Sequence, residues 1–598
     1  MKKNAGSTMI VILMVLSTLS VCVVCSLNFT SVIARDVQRS NALRNAMEIA
    51  DGTIDYAFAH WRETCRGQTN VQLSGSSFAS IAMPGASLFP SVTGFTSSRG
   101  ANPSSGTPYT LANYQVVAAD QLWAPVGAAA TPPPPAHGMG AGTANYHYLA
   151  SADVTIPAMT GRPLTVKMRR IFTKSLMSPW NYAIFYVDDL EIHPGAVMNV
   201  TGWAHSNSKL YTSNSTLTFQ SKASYGDDWE KNYKPGDSRR TSTAQPGPNW
   251  QTNLPPFRDQ GQQPFGLDST RIFSTADSSL NNDSYRELVE RPSGSGTDPV
   301  AGGRYYNQAG IKITVDNAGA VTYLNLAGTV INASSAAGSN DRKLYDAFRT
   351  AIAVGATITD KREAATVRLV DVDVSIVNAN LAAAGAPPFN GIVHISDTSG
   401  TASVKRAVRL KNGATITRTS GLTFATDNGL YIQGDYNTGR TATTNTPSNT
   451  GTPTSPTVAG YTRKPCAVLA DAVMILSNSW VDSNSSAALA SRVASATTVN
   501  TAIVSGIVPT AGGNYSGGAE NFPRFLEDWS SKPFTYYGSM VELYPSSQFN
   551  SIWKNTGATL NVYNPPIRQW YFDTRFYSSP PPGTLTLVSY NKGRWFLE

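Results

Sequence analysis

Charge is scarce in this chain of 598 residues: 14% are Asp, Glu, Lys or Arg, against roughly 25% in ordinary soluble domains. The net charge is +8, yet the basic residues are scattered and form no run as dense as a phosphate-binding stripe. Nucleic acid is therefore excluded as the expected partner. Cysteines number four and histidines six. No CxxC pair lies outside one apolar run and there is no HExxH or HxH pattern, so no metal site and no cofactor is expected. No GxSxG elbow, Walker loop or Cys/His pairing stands in a strand-turn-helix context. Proline is missing until Pro84, which leaves the whole amino-terminal stretch free to be helical.

What is there begins with Lys2 and Lys3, then a run from Thr8 to Leu27 without a charged residue. About 20 apolar residues cross a bilayer as a helix, and the two lysines predict that the short end stays cytoplasmic and the rest is exported. No small-x-small cleavage site follows, and Val21 and Val24 stand where a lipoprotein signal needs a small residue. Apolar residues then continue at three- or four-residue steps: Phe29, Ile33, Val37, Leu43, Met47, Ala50, Ile54, Phe58 and Trp61. This spacing predicts one helix over residues 7–63, buried in lipid at first and amphipathic afterwards. Cys22 and Cys25 read as lipid-facing hydrophobes. Cys65 and Cys466 leave a disulfide and two free thiols both open.

A basic leader (1–6) ending in Gly6, an uninterrupted apolar run and an amphipathic continuation resemble the amino terminus of type IV pilins and pseudopilins, and GSTMIVILMVLSTLSV resembles that of PilX-like pilus-assembly proteins. The resemblance implies cleavage between Gly6 and Ser7. It also implies a Glu at the fifth position after the cut, where this chain has Val11. The minor pseudopilin of type II secretion that caps the fibre tip departs in the same way. The implied partners are other pilins or pseudopilins, through the amino-terminal helix, and the cytoplasmic membrane. A plain single-pass anchor is the alternative.

After Cys65 the chain turns rich in Gly, Ser, Ala and Pro. The strand-like runs YQVVAA, YHYLASADVTI and PLTVKMRRIF predict a small pilin-like α+β module over 64–179. From 180 to 598, short β-branched runs alternate with Gly, Asn and Ser turns, the cadence of stacked rungs whose inward positions only neighbouring rungs bury. The expected fold class is mainly β: an irregular right-handed parallel β-helix after a long amino-terminal α-helix and single membrane pass, with a β-sandwich as alternative. Residues 227–365, with a helical segment DRKLYDAFRTAIA bearing Leu344, Phe348 and Ile352, and residues 439–463 are expected as lateral insertions. GLYIQGDYN, KPCAVLADAVMILSNSW, GGNYSGGAENFPRFLEDW and PPIRQWYFDTRF resemble the carboxy-terminal region of large PilX-like surface proteins, a family of display and assembly.

Parallel β-helices often carry polysaccharide-cleaving enzymes, so carboxylates need weighing. The candidates are Asp188 with Asp189, Asp227 with Asp228, Asp371 with Asp373, Asp471, Glu520 and Asp573; glycoside hydrolysis needs two acids ~5–9.5 Å apart. Asp371 and Asp373 share one strand face, as a solvated side or a calcium site. Phe522, Arg524, Phe525, Leu526 and Trp529 are spaced as a short helix, either an end cap or a binding patch. Arg524, Arg568 and Arg575 are expected to pair with Glu520, Asp528 and Asp573 rather than stack on sugars. The expectation is a non-catalytic minor pilin-like component of a type IV pilus or type II secretion assembly at the fibre tip. A surface ligand or polysaccharide is an open partner, and a membrane-anchored β-helix enzyme or a passive adhesin module is the alternative.

Overall fold

The computed structural model describes residues 5–66, 109–118, 144–156, 163–251, 254–264, 284–292, 298, 300–383, 385–399, 403–440, 457–554 and 561–598. They divide into two units, the first within 1–133, 146–174 and 590–598, the second within 134–145 and 175–589.

In the first unit, α1 (Ala5–Arg66) is one helix, longer at both ends than the predicted 7–63. Beside it lie β1 (Thr110–Ala118), β2 (Ala144–Ile156) and β3 (Leu164–Met177). β1 and β2 pair antiparallel, and the sheet order is β1-β2-β3 followed by the last strand of the chain, Leu587–Leu597. The end of α1 is held by rings: Trp61, fully buried, lies 5.2 Å from Tyr148, 5.3 Å from Phe172 and 5.6 Å from Tyr590. Around them Lys592 bonds Asp55 at 2.6 Å, and Arg170 bonds Asp51 at 3.1 Å and the Gly593 carbonyl at 2.6 Å. The predicted boundaries therefore need correcting: residues 590–598 belong to the small unit, not to a domain spanning 180–598. A pairing across more than four hundred residues leaves no local pattern to read.

The second unit is built of short strands joined by polar turns. β4 (Ile184–Tyr186), β5 (Leu190–Ile192) and β6 (Met198–Val200) make one coil; β7 (Ala204–Ser206), β8 (Leu210–Thr212) and β9 (Leu217–Phe219) make the next. β10 (Ala223–Tyr225), β11 (Trp229–Glu230) and β12 (Asn249–Trp250) follow, then β13 (Phe257–Arg258) and β14 (Gln263–Pro264). Pairing between coils is parallel: Ile184 faces Ala204, which faces Ala223; Leu190 faces Leu210, which faces Trp229; and Val200 faces Phe219, which faces Trp250. These side chains fill one continuous core, because each coil buries its apolar positions only against its neighbours. Here 227–258 is a correction to the predicted insertion: β11, β12 and β13 continue the stack.

Next come β15 (Ile311–Val315), β16 (Val321–Asn325) and β17 (Val330–Ile331), α2 (Asn340–Arg349), the hairpin β18 (Ile352–Asp360) and β19 (Ala365–Asp373), and α3 (Val374–Ala382). Leu344 and Phe348 of α2 enter the core as expected, whereas Ile352 starts a strand. The chain then winds through β20 (Ile392–Asp397), β21 (Val404–Lys411), β22 (Thr423–Thr426), β23 (Gly429–Gln433), β24 (Ala467–Ala470), β25 (Ala472–Leu476), β26 (Thr497–Asn500), β27 (Ala502–Ser505), β28 (Arg524–Phe525), β29 (Pro533–Gly538), β30 (Met540–Glu542) and β31 (Ile567–Phe572) to β32 (Leu587–Leu597). Antiparallel pairing among the described strands of this unit is confined to β15-β16-β17, β18-β19 and β14 with residues 587–588, which is not a sandwich. Of the second predicted insertion, 439–463, residues 441–456 lie outside the described residues.

Space and chain order differ. One sheet of twelve strands runs β13-β10-β7-β4-β30-β27-β24-β22-β20-β15-β16-β17, so the first coils wind outward from a seam at β4 and the later coils wind back to it. At the seam Met540 faces Ile184 and Val541 faces Phe185. The segment that returns along the stack covers the sheet's outer face: Tyr285, Leu288, Val289 and Tyr305 are buried with Phe185, Ala425, Leu469 and Val541. Turns are tight where coils meet. A Cβ on Gly421 (φ +78°) would stand 1.5 Å from the Pro465 carbonyl oxygen. Asn437, at φ 57°, bridges coils by donating to the carbonyls of Lys464 and Asn500.

Candidate functional site

α1 has the length and composition to cross a membrane. It also changes character along its length. Val11, Phe29, Ile33, Val37 and Leu43 are exposed, at 56%, 68%, 46%, 53% and 41%, while Met47 and Phe58 are half-buried and Ile54 is fully buried against its own unit. Residues 7 to 45 rise about 58 Å at 1.5 Å per residue, roughly twice a ~30 Å hydrocarbon core. The first charged residues after the apolar run are Arg35 and Asp36; Val37 and Leu43 lie beyond them and still present apolar surface. Gly6 and Ser7 sit in the first turn of α1.

The carboxylates weighed for catalysis or calcium are engaged elsewhere. Asp371 takes a two-pronged bond from Arg409 (2.7 and 2.8 Å) and one from Lys411 at 3.2 Å, and Asp373 caps α3 through the amides of Ser375 and Ile376. Neither is a bare solvated side chain. Asp471, fully buried, accepts the amides of Ser547, Gln548 and Phe549 and the Arg286 Nε–H, tying the return segment to the stack. Asp573 is gripped by Arg463, and Asp189 by Lys234 and Ser208. Asp228 accepts the Trp229 amide, and both Asp227 and Asp228 are exposed. Among the described residues no group of three His, Cys, Asp or Glu could hold a metal.

The expected helix at 522–529 is a correction. Residues 519–521 form one 3-10 turn and Arg524–Phe525 is β28, pairing in parallel with Met474 and Ile475. Phe522, Arg524, Phe525 and Trp529 are 3%, 4%, 2% and 0% exposed, so they are neither an end cap nor a surface patch. Aromatics at helical spacing also suit a coil whose turns point them inward, and here Phe525 meets Trp529 at 5.5 Å and Phe534 at 5.3 Å. Arg524 donates to the Phe549 carbonyl and Ser546, and Arg568 to the Glu520 carbonyl. Arg575 does not pair with the Asp573 carboxylate through its guanidinium, because Arg463 holds that place.

Sequence reasoning passed over Glu191 and Glu542, the acids that pin the seam. Glu542 accepts the amides of Val187 and Asp188 (both 3.2 Å), and Glu191 accepts from Thr510 (2.6 Å) and Ser516 (2.9 Å). Glu520 accepts the His193 amide and the Tyr515 hydroxyl. Burial raises the carboxyls of Glu542, Glu520 and Asp188 above the usual range and pushes Glu191 up to about 7. Their only sequence signal is an acid inside a three-residue apolar strand, LEI or MVE.

No protein-family model matches the chain, and no curated protein matches it. Among solved structures it is similar to the competence-associated pilin ComZ from Thermus thermophilus, over 76% of this chain and 84% of that one, at 10% identity and a TM-score of 0.25. So loose a superposition establishes no common fold.

Proposed function

We propose that this chain is a non-catalytic, helix-anchored subunit of a pilin-like fibre or secretion assembly, holding a right-handed parallel β-helix outside the cytoplasmic membrane. The observation that carries the reading is α1: its apolar face stays exposed past the charged pair Arg35 and Asp36, at Val37 and Leu43, where lipid no longer covers it. Neighbouring helices of the same kind are the partners that would bury that face, by close packing in and just above the bilayer. The resemblance of the leader, with Gly6 before Ser7, supports processing by a prepilin peptidase. Val11, in place of the carboxylate of mid-fibre subunits, favours the tip.

A structural role is further supported by the occupation of Asp371, Asp471 and Asp573 by arginines and backbone amides, which leaves them no freedom to act as an acid-base pair. The test is photo-crosslinking in cells. Probes at Phe29, Val37 and Leu43 should yield adducts with other helix-bearing subunits, and a probe at the exposed Glu48 should yield fewer. Adducts with lipid alone from all positions would leave only the plain anchor. An unchanged amino-terminal mass after removal of the peptidase would sink the processing claim by itself.

A further inference from the structure

A cavity of about 310 Å³ opens in the second unit between the turn 462–465 and the segment 573–579, lined also by Thr419. That size is at the small end of ligand pockets, roughly 300–1,000 Å³. Three cations and one carboxylate line it: Arg463, Lys464, Arg575 and Asp573. The carboxylate is used up. Arg463 grips it with Nε (2.7 Å) and Nη2 (2.6 Å), and the Arg575 backbone amide donates to it at 3.0 Å.

Arg575 is left with a carbonyl, that of Arg463 at 3.3 Å, and Lys464 with the face of Tyr461 at 5.8 Å. Among the described residues neither has an ion-pair partner. Burial and the neighbouring Arg463 charge disfavour the Arg575 guanidinium's protonated form against the opposing pull of Asp573, so one carboxylate serves three cations. Around these cations stand the hydroxyls of Thr419, Thr462, Ser578 and Ser579, with Pro465 and Phe576 as the apolar floor. Cations in excess of carboxylate, ringed by hydroxyls, suit a ligand that carries an oxyanion on a polyhydroxylated body.

We propose that this cleft binds an acidic saccharide, its carboxylate or ester oxyanion seated between Arg575 and Lys464 and its hydroxyls against Thr462, Ser578 and Ser579. The inference goes beyond the assembly reading and does not depend on it. It is tested by calorimetric titration of the full chain in detergent with oligogalacturonate, a neutral oligogalactose and inorganic phosphate. Oligogalacturonate should bind, more weakly as salt rises, and the neutral sugar should not. Lys464→Ala and Arg575→Ala should each lower the affinity about tenfold, the worth of a hydrogen bond to a charged group. Ser578→Ala should lower it by a smaller factor, with thermal unfolding unchanged in all three. Equal binding of the neutral sugar, phosphate binding as tight as the uronate, absence of uronate binding, or wild-type affinity in both cation variants would each overturn the proposal.

Discussion

At the scale of single residues, Glu191 and Glu542 show what burial does to an acid. A carboxyl raised to about 7 when folded, as Glu191 is, against ~4.3 in an unfolded chain, favours the folded state in its protonated form. That contribution is whole below about pH 4.3 and is lost as the pH rises through about 7. Glu191→Gln should therefore gain on the wild type in thermal midpoint as the pH goes from about 5 to about 8; an advantage that shrinks over that range would refute the sign. Cys466, fully buried, has its thiol pushed up to about 12 by desolvation, so it should resist alkylation until the chain unfolds. Cys65 and Cys466 are both buried free thiols, one in each unit. Arg304 and Glu287 are a fully buried pair on the return segment. Arg304→Met, which strands the glutamate, should cost about 3–5 kcal/mol in denaturant titration.

Elements carry different lessons. α1 was legible as a helix because charge, proline and period agreed over sixty residues, and the same stripe that reaches Leu43 unpartnered is met by Tyr148, Phe172 and Tyr590 at Trp61. α2 was legible as well, from Leu344 and Phe348, but its role was not. It packs on β16, β17 and α3, at the end of the stack where open strand edges need cover. Phe348→Ala should cost about 3–5 kcal/mol, and hydrogen exchange should quicken first in β15 to β17; uniform quickening throughout the second unit would refute a local cap. The segment NFPRFLEDW was misread because apolar residues at steps of three and four fit both a helix and a tightly turning coil. Only the parallel pairing of β28 with β25 separates the two.

For the whole molecule, the decisive fact is that the coils are stacked out of chain order. The seam joins β30 to β4, residues more than three hundred apart, yet its pairing is the same parallel ladder as that between successive coils. Amides at Met540 and Val187, which donate across the seam to the carbonyls of Ala183 and Glu542, should therefore be as protected from exchange as those within β22 or β24, and ready exchange there would show that the two stretches close only loosely. The small unit depends on its own distant strand: truncation after Ser589 removes Tyr590, Lys592 and Gly593 from Trp61, Asp55 and Arg170. Trp61 fluorescence should then shift to the red as water reaches the ring.

The sequence by itself determined the elements whose pattern is local: the long helix, its change from apolar to amphipathic, and short strands with Gly and Asn at the turns. Only the tertiary structure decided which coil lies on which, that residues 590–598 return to the first unit, and that Arg463 rather than Arg575 takes Asp573. Those outcomes follow from pairings between distant residues, and a parallel ladder accepts any coil with matching inward side chains. No local spacing records which one it accepts.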